Sequence, residues 1–335
     1  MPDSPAFGDF DFRTVVNTFE PRLEKMVPWE QRFGLNLQVQ YIYGGFHAAD
    51  GTLTAIERKF SGPMTGGAWL MSDESGTLAL HPGAMHTARG ETIRQFSDTS
   101  RKWSNHLMHT VGKDVSKTPD QPLSLELEGD KLLWSEGDLL QLEGSLIGPG
   151  VQFYAPMRDE PLFYTTHAYW VNGTAFGQDV TGFVGFDHGY WQHGREWKEY
   201  RVYQDLEIAW QVFGNQFDDG TVEWGLLMKS KQGLACGVVH EGDTLIAMAD
   251  DVPATFTIDS EDFIDTARFT VGDKQWEFTA RESGKMKDFN RARWAGYKSQ
   301  SGVTRRVGDK RKVKHGFAWI EAFSDRIKSE GLAGR

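Results

Sequence analysis

Three things are scarce in this sequence of 335 residues: cysteine, excess positive charge and long apolar runs. The single cysteine, Cys236, cannot form an internal disulfide, so nothing favours an oxidising compartment. No stretch approaches the roughly 18 apolar residues of a membrane-spanning helix. The N-terminus is acidic and proline-containing, unlike the basic and then apolar start of a secretory signal. These absences predict a soluble, cytoplasmic protein without a membrane span.

The charge balance is acidic, with a formal net charge of -11 at pH 7. Proteins that bind nucleic acids neutralise phosphates with clustered Lys and Arg. The only dense basic run extends from Arg305 to His315, and its charge pattern is typical of a solvated hairpin. We therefore expect no nucleic-acid partner, whereas the oligomeric state stays open.

Aromatic residues and glycine are abundant: 22 Phe, 12 Trp, 9 Tyr and 37 Gly, a mixture typical of sheets and barrels. Apolar and polar residues alternate from Leu35 to Tyr43, which predicts a strand with one buried face. Similar short runs recur at a spacing of roughly 8–12 residues. Gly- and Asp-containing turns separate them, as at Glu128–Lys131 and Phe217–Gly220. The pattern predicts an all-β sandwich or barrel.

The β pattern restarts after Gly194, which indicates a second unit of similar size. A single core usually stops growing near about 250 residues, so a chain of this length favours two domains. We predict an N-terminal domain over residues 1–194 and a C-terminal domain over residues 195–335. Only the segment after Phe323 reads as a helix, a short one at the C-terminus.

The segment from Phe163 to Gly194 combines many rings with polar side chains, and it holds the main candidate for catalysis, Asp187. Here an apolar strand ends in an acid flanked by aromatic residues. Poor solvation there would raise the carboxyl pKa and suit it to proton transfer near neutral pH. The alternative is a structural aspartate that caps a turn.

His188 and His193 follow as candidate catalytic residues, because a histidine beside an acid can relay a proton. The alternative for both is a surface or satisfied core position. Their spacing does not match a helical metal-binding pair, and a metal would need further ligands. The sequence also lacks a GxSxG elbow, a P-loop and GxGxxG. We therefore predict neither a metal nor an organic cofactor.

Candidate substrate-binding residues lie on the run from Tyr164 to Trp170. The period of two places His167 and Tyr169 on one face, and Tyr164 and Trp170 on the other. If the strand belongs to the wall of a binding cavity, one of these two faces would line that cavity. The sequence does not show which face it is. Ordinary packing of these rings is the alternative.

Three segments in order resemble one known family. Residues 173–191 (GTAFGQDVTGFVGFDHGYW) are similar to the G-x-V-x-G-x-x-W-x-D-x-x-W-G signature of the AttH and carotenoid 1,2-hydratase superfamily, which includes kievitone-hydratase-like proteins. Residues 206–228 resemble its W-x-W-x-x-x-Q-x-D-D-G hairpin, and residues 315–323 its closing G-x-G-x-x-E element. One departure is Phe186, where the signature has Trp before its Asp.

The resemblance implies two lipocalin-like antiparallel β-barrels packed together, with Asp187 near their junction. It also implies that Trp191, Trp210 and Glu321 contribute to substrate binding. Glu321 is notable in its own right, because an acid in an apolar strand needs a partner or an unusual pKa. Its alternative is an outward-facing position on an alternating strand.

The leading functional prediction is an acid–base enzyme, a hydratase, isomerase or cyclase, acting on a hydrophobic isoprenoid- or polyketide-like molecule of secondary metabolism. Asp187 would protonate the substrate, the rings would stabilise positive charge, and His188 or His193 would assist water. One alternative is a non-catalytic carrier of a hydrophobic small molecule. Another is pericyclic catalysis by the shape of the cavity alone.

Overall fold

The computed structural model describes residues 13–23, 31–66, 70–73, 76–81, 89–107, 121–157, 160–287 and 296–334. Within these residues the protein consists of two antiparallel β-sheets and one short α-helix. The prediction of an all-β fold with two packed antiparallel β-barrels and a short C-terminal helix is confirmed, with one closed ten-stranded barrel and one sheet that curls into a half-barrel. No helix in the described ranges has the length and apolar character required to cross a membrane.

In the described part of the chain, the first sheet contains fourteen strands, all from residues before 192. They are β1 (Val15–Phe19), β2 (Asn36–Ala48), β3 (Leu53–Ser61), β4 (Met64–Gly66), β5 (Leu70–Ser72), β6 (Ala79–Leu80), β7 (Gly90–Phe96), β8 (Ser100–Leu107), β9 (Leu123–Glu128), β10 (Lys131–Glu136), β11 (Leu140–Leu146), β12 (Gly150–Ala155), β13 (Leu162–Ala175) and β14 (Gln178–Trp191). Pairing of β13 with β14 closes ten of them into a barrel.

The second sheet follows in the chain, and its described residues form nine strands. They are β15 (Glu207–Phe217), β16 (Val222–Ser230), β17 (Ala235–Glu241), β18 (Thr244–Ala249), β19 (Ala254–Ile258), β20 (Ile264–Val271), β21 (Lys274–Lys285), β22 (Tyr297–Arg306) and β23 (Val313–Phe323). The helix α1 (Ser324–Ser329) follows β23. This sheet curls into a half-barrel, with β18 and β19 at its two ends.

The connection between the sheets, residues 192–206, contains a 3-10 helix at Trp197–Glu199 and a π-helical turn at Val202–Leu206. The change of sheet therefore occurs close to where the β pattern of the sequence restarts. The boundary of two domains at residue 194 stays a prediction.

Local sequence explains the hairpins. Gly129 (φ 56°) lies between β9 and β10, and Gly220 (φ 86°) between β15 and β16. Both glycines adopt the left-handed conformation that tight turns need. The turns predicted at Glu128–Lys131 and Phe217–Gly220 are thus confirmed.

Strand β2 differs from its predicted form, because both of its faces are covered. Gln40, predicted on the solvent face, is buried in the barrel interior, where its side-chain oxygen accepts a hydrogen bond from Trp103 Nε1 at 3.2 Å. The opposite face, which includes Tyr41 and Tyr43, packs against residues of the second sheet. Alternation in this strand therefore separates two buried environments rather than core from solvent.

The two sheets pack closely where glycines meet rings. The Phe183 and Phe317 rings stack with centroids 5.9 Å apart, and Phe183 also contacts Trp224. A Cβ atom at Gly45 would lie 2.0 Å from the Phe317 ring, and one at Gly214 would lie 2.3 Å from the Phe183 ring. These backbones can approach the rings only because they carry no side chain. We call this contact region between the sheets the junction.

Candidate active site

The pairing of β13 with β14 determines which side chains share a face. Thr166 lies opposite Asp187, and His167 lies opposite Phe186. Because side chains alternate along a strand, Asp187 points away from the interior of the ten-stranded barrel. It lies on the side that faces the second sheet, the same side as Phe183.

The carboxyl group of Asp187 is buried, with 3% of the residue exposed. Tyr43 Oη donates a hydrogen bond to its Oδ1 at 3.2 Å, and Tyr164 Oη donates to its Oδ2. Burial raises the pKa of Asp187 to about 7, although the nearby hydroxyl groups of Thr166, Tyr164 and Tyr43 oppose this rise. The negative charge of Glu321 adds to it. Near neutral pH this carboxyl group can therefore both donate and accept a proton.

The two tyrosines stay protonated beside this acid. Burial raises the pKa of Tyr43 and of Tyr164 well above the usual value, and the nearby Asp187 charge adds to both shifts. Each phenol is thus a permanent hydrogen-bond donor toward the carboxyl group. The arrangement holds Asp187 in one orientation and stabilises its ionised form.

Asp187 lies in the wall of a cavity of about 290 Å³ between the two sheets. Rings from both sheets and from the connecting segment form much of its surface. These aromatic residues are Tyr41, Tyr43, Tyr164, Trp191, Trp197, Tyr203, Trp210, Phe317 and Trp319. Such a lining suits a mostly hydrocarbon ligand, and the few polar groups can orient it.

Five of the residues singled out from the sequence meet at this cavity: Asp187, Tyr164, Trp191, Trp210 and Glu321. The Tyr164 ring contacts that of Trp210, with centroids 5.1 Å apart. Trp210 and Glu321 are direct partners across β15 and β23. The cavity thus combines side chains that lie far apart in the sequence, and their roles in substrate binding stay predictions.

The face of β13 that the sequence left open is resolved by geometry: Tyr164 reaches the cavity. His167 and Tyr169 project from the opposite face into the barrel interior, beside Phe186. Trp170 shares the face of Tyr164 but lies farther along the strand, where it borders a separate depression between β10, β11 and β13.

The two candidate catalytic histidines also lie away from this cavity. His188 follows Asp187 directly, so alternation turns it into the barrel, where its ring lies 4.7 Å from that of Phe186. Burial lowers the pKa of His188 to about 3, and the ring is therefore neutral. His193 is exposed on the connecting segment. Of the described residues that line the cavity, none is a histidine.

Several cavity residues were not singled out from the sequence. Tyr43, the second donor to Asp187, is 144 positions away in the chain, and Trp319 belongs to β23. Lys59 and Glu207 add charge to the wall. The alternation from Leu35 to Tyr43 did indicate a buried face with both tyrosines of β2. It carried no information on which strand would face them.

Comparison with solved structures gives matches at low sequence identity. No protein-family model and no curated protein matches the sequence. A candidate AttH from Nitrosomonas europaea superposes with a TM-score of 0.47 at 13% identity, covering 91% of this chain and 96% of that one. Kievitone hydratase from Nectria haematococca gives a TM-score of 0.39 at 8% identity, covering 94% of this chain and 99% of that one.

Proposed function

We propose that the protein is an acid–base enzyme that protonates an unsaturated carbon of a lipophilic, isoprenoid- or polyketide-like small molecule. One observation carries this proposal. A buried carboxyl group whose pKa is raised to about 7 lies in the wall of an aromatic cavity. Perturbed acids in clefts are typical of catalytic sites, and a general acid works best when its pKa lies near the working pH.

In the first step, protonated Asp187 gives its proton to an alkene or enol carbon. The electron pair of the double bond forms the new C–H bond, and positive charge develops on the neighbouring carbon. Asp187 becomes a carboxylate, which the hydroxyl groups of Tyr43 and Tyr164 stabilise. Ring faces such as that of Trp210 attract the developing cation.

The second step decides the reaction class. Water that adds to the cation returns its proton to the Asp187 carboxylate, which is a hydration. Loss of a proton from an adjacent carbon to the same carboxylate is an isomerisation. Attack by a second double bond of the substrate closes a ring and forms a new cation, which loses a proton to the same carboxylate; this is a cyclisation. Because His188 and His193 lie elsewhere, we assign the proton acceptor of this step to Asp187 itself.

The test compares the Asp187→Asn variant with the unsubstituted protein. Each is incubated with a panel of unsaturated isoprenoids and polyketides, and mass spectrometry detects the products. We expect the Asp187→Asn variant to lose turnover by at least about 100-fold, while ligand affinity changes only a few-fold. In the unsubstituted protein, turnover should fall as the pH rises above about 7, because the acid then loses its proton.

Two outcomes would contradict the proposal. Equal turnover in the Asp187→Asn variant would favour catalysis by cavity shape alone. A small molecule that is extracted unchanged from the purified protein, without turnover of any compound in the panel, would favour a carrier of a hydrophobic ligand.

A further inference from the structure

The cavity beside Asp187 is unusually acidic for a site lined by rings. Among the described residues, its wall includes Asp187 and four glutamates against two lysines. The glutamates are Glu57, Glu196, Glu207 and Glu321, and the lysines are Lys59 and Lys198. Two of these acids do not call for a cationic ligand: Asp187, whose pKa is about 7, can be neutral, and the charge of Glu207 acts favourably on Arg326.

Both lysines have acidic neighbours of their own. Lys198 forms an ion pair with Glu196 at 2.7 Å, and both side chains are exposed. The Lys59 ammonium lies 5.6 Å from the centroid of the Tyr41 ring, and the charges of Glu57 and Glu196 act on it favourably. Their positive charges are therefore balanced within this part of the wall.

Glu321 is different. Among the described residues, its only hydrogen bond comes from Trp319 Nε1, at 3.4 Å to Glu321 Oε1. None of the described lysine and arginine residues forms an ion pair with Glu321. The side chain is half-buried in β23, directly across from Trp210. Its side chain thus lines the cavity, with a hydrogen bond from one indole and a second tryptophan at the paired position of the next strand.

The ligand determines what happens to this carboxylate. A ligand that fills the cavity displaces water from Glu321. A neutral ligand would then leave a desolvated charge without a counter-charge, which costs free energy. A positively charged group would replace the lost water with an ion pair, and the ring of Trp210 could add cation–π attraction.

We propose that the natural ligand is an organic cation, an amine or quaternary ammonium attached to an unsaturated apolar body, with its charge beside Glu321 and the indoles of Trp210 and Trp319. This inference rests on the proposed function for the position of the double bond at Asp187. It names the class of substrate that the same cavity accepts.

The experiment measures binding of three probes of similar shape by quenching of tryptophan fluorescence and by calorimetry. They are benzyltrimethylammonium, its neutral isostere neopentylbenzene, and the anion 3-phenylpropanoate. We expect the cation to bind roughly tenfold or more tightly than either of the others, a difference of about 1.4 kcal/mol. A preference for the neutral or the anionic probe would overturn the proposal.

Two variants localise the effect. Glu321→Gln keeps the size of the side chain and should weaken cation binding roughly tenfold, while the neutral probe stays within about twofold. Glu128→Gln, an equal charge change at an exposed site on β9, should alter neither. Trp319→Phe should weaken cation binding by a smaller factor, because it removes the N–H group that donates to the Glu321 carboxylate but keeps the charge. Equal losses for all probes in Glu321→Gln would contradict a charge-specific role.

Failure of this inference is distinguishable from failure of the proposed function. Cation preference together with no turnover in any assay would leave the binding inference intact and remove the catalytic one. Turnover of neutral substrates that depends on Asp187, without a preference for cations, would support the catalytic proposal and contradict the binding inference.

Discussion

Asp187 is a carboxyl group that two phenol hydroxyls hold in place and that the surrounding rings keep from water. Its position in the sequence, after an apolar run and among aromatic residues, was enough to predict poor solvation. The sequence could not identify its hydrogen-bond donors, since Tyr43 comes from another hairpin. It also could not separate Asp187 from His188, because neighbours in a strand share a sequence context but not a face.

The raised pKa of Asp187 also predicts how stability depends on pH. The pKa of this acid is about 7 in the folded state and near 3.8 in the unfolded state. At a pH between these two values, the folded state therefore binds more protons than the unfolded state. The free energy of unfolding should therefore fall as the pH rises from about 4 to about 7. The Asp187→Asn variant, which carries no such charge, should be more stable than the parent at pH 8, by roughly 3 kcal/mol.

Urea unfolding at pH 5 and pH 8 measures this difference. Asp179→Asn is the matched control, because Asp179 lies on the same strand but is exposed. Glu223 should contribute with the same sign, since burial raises its pKa to about 7 as well. An equal pH slope in the parent and the Asp187→Asn variant would show that Asp187 ionises normally in the folded protein.

At the scale of strands, the period of apolar residues predicted where strands occur better than it predicted what each face of a strand contacts. The run Leu123, Leu125 and Leu127 of β9 alternates as expected and is fully buried on one face. In β3, alternation does not reveal that Arg58 faces the barrel interior. Its partner Glu136 is 78 positions away on β10, so no local pattern links the two.

The buried pair of Arg58 and Glu136 makes two hydrogen bonds, at 2.9 and 2.8 Å, and Trp134 Nε1 also donates to Glu136. Replacement of Arg58 with Met should lower the free energy of unfolding by about 3–5 kcal/mol, because the glutamate is left buried without a counter-charge. The double variant Arg58→Met/Glu136→Leu should recover most of that loss, since it leaves no uncompensated charge.

Denaturant unfolding of these variants provides the measurement. Lys102 and Glu126 form a partly exposed ion pair at 3.4 Å on the same barrel. Lys102→Met should therefore cost less than about 1 kcal/mol. A double variant as unstable as Arg58→Met alone would mean that the loss comes from altered packing rather than from the unpaired charge.

At the scale of the whole molecule, the cavity belongs to neither sheet alone. Its wall takes Asp187 from β14 and Trp210 from β15, so the way the sheets pack sets its dimensions. The sequence predicted two successive β units from the restart of alternation. It could not predict that the first closes through the pairing of β13 with β14 while the second stays open, because closure depends on pairings between distant segments.

Cys236, on β17, is fully buried at the junction and packs in the same cluster as Phe183 and Phe317. Burial also raises the pKa of its thiol, and thiol reagents attack the thiolate. Because the chain has no other cysteine, reaction with Ellman's reagent should report exposure of this one site, through either separation of the two units or global unfolding. We expect no labelling over hours in buffer, labelling that follows the urea transition, and slower labelling with a ligand bound. Rapid labelling without denaturant would show that the two units separate spontaneously. The labelling rate would then measure how fast the cavity opens to substrate.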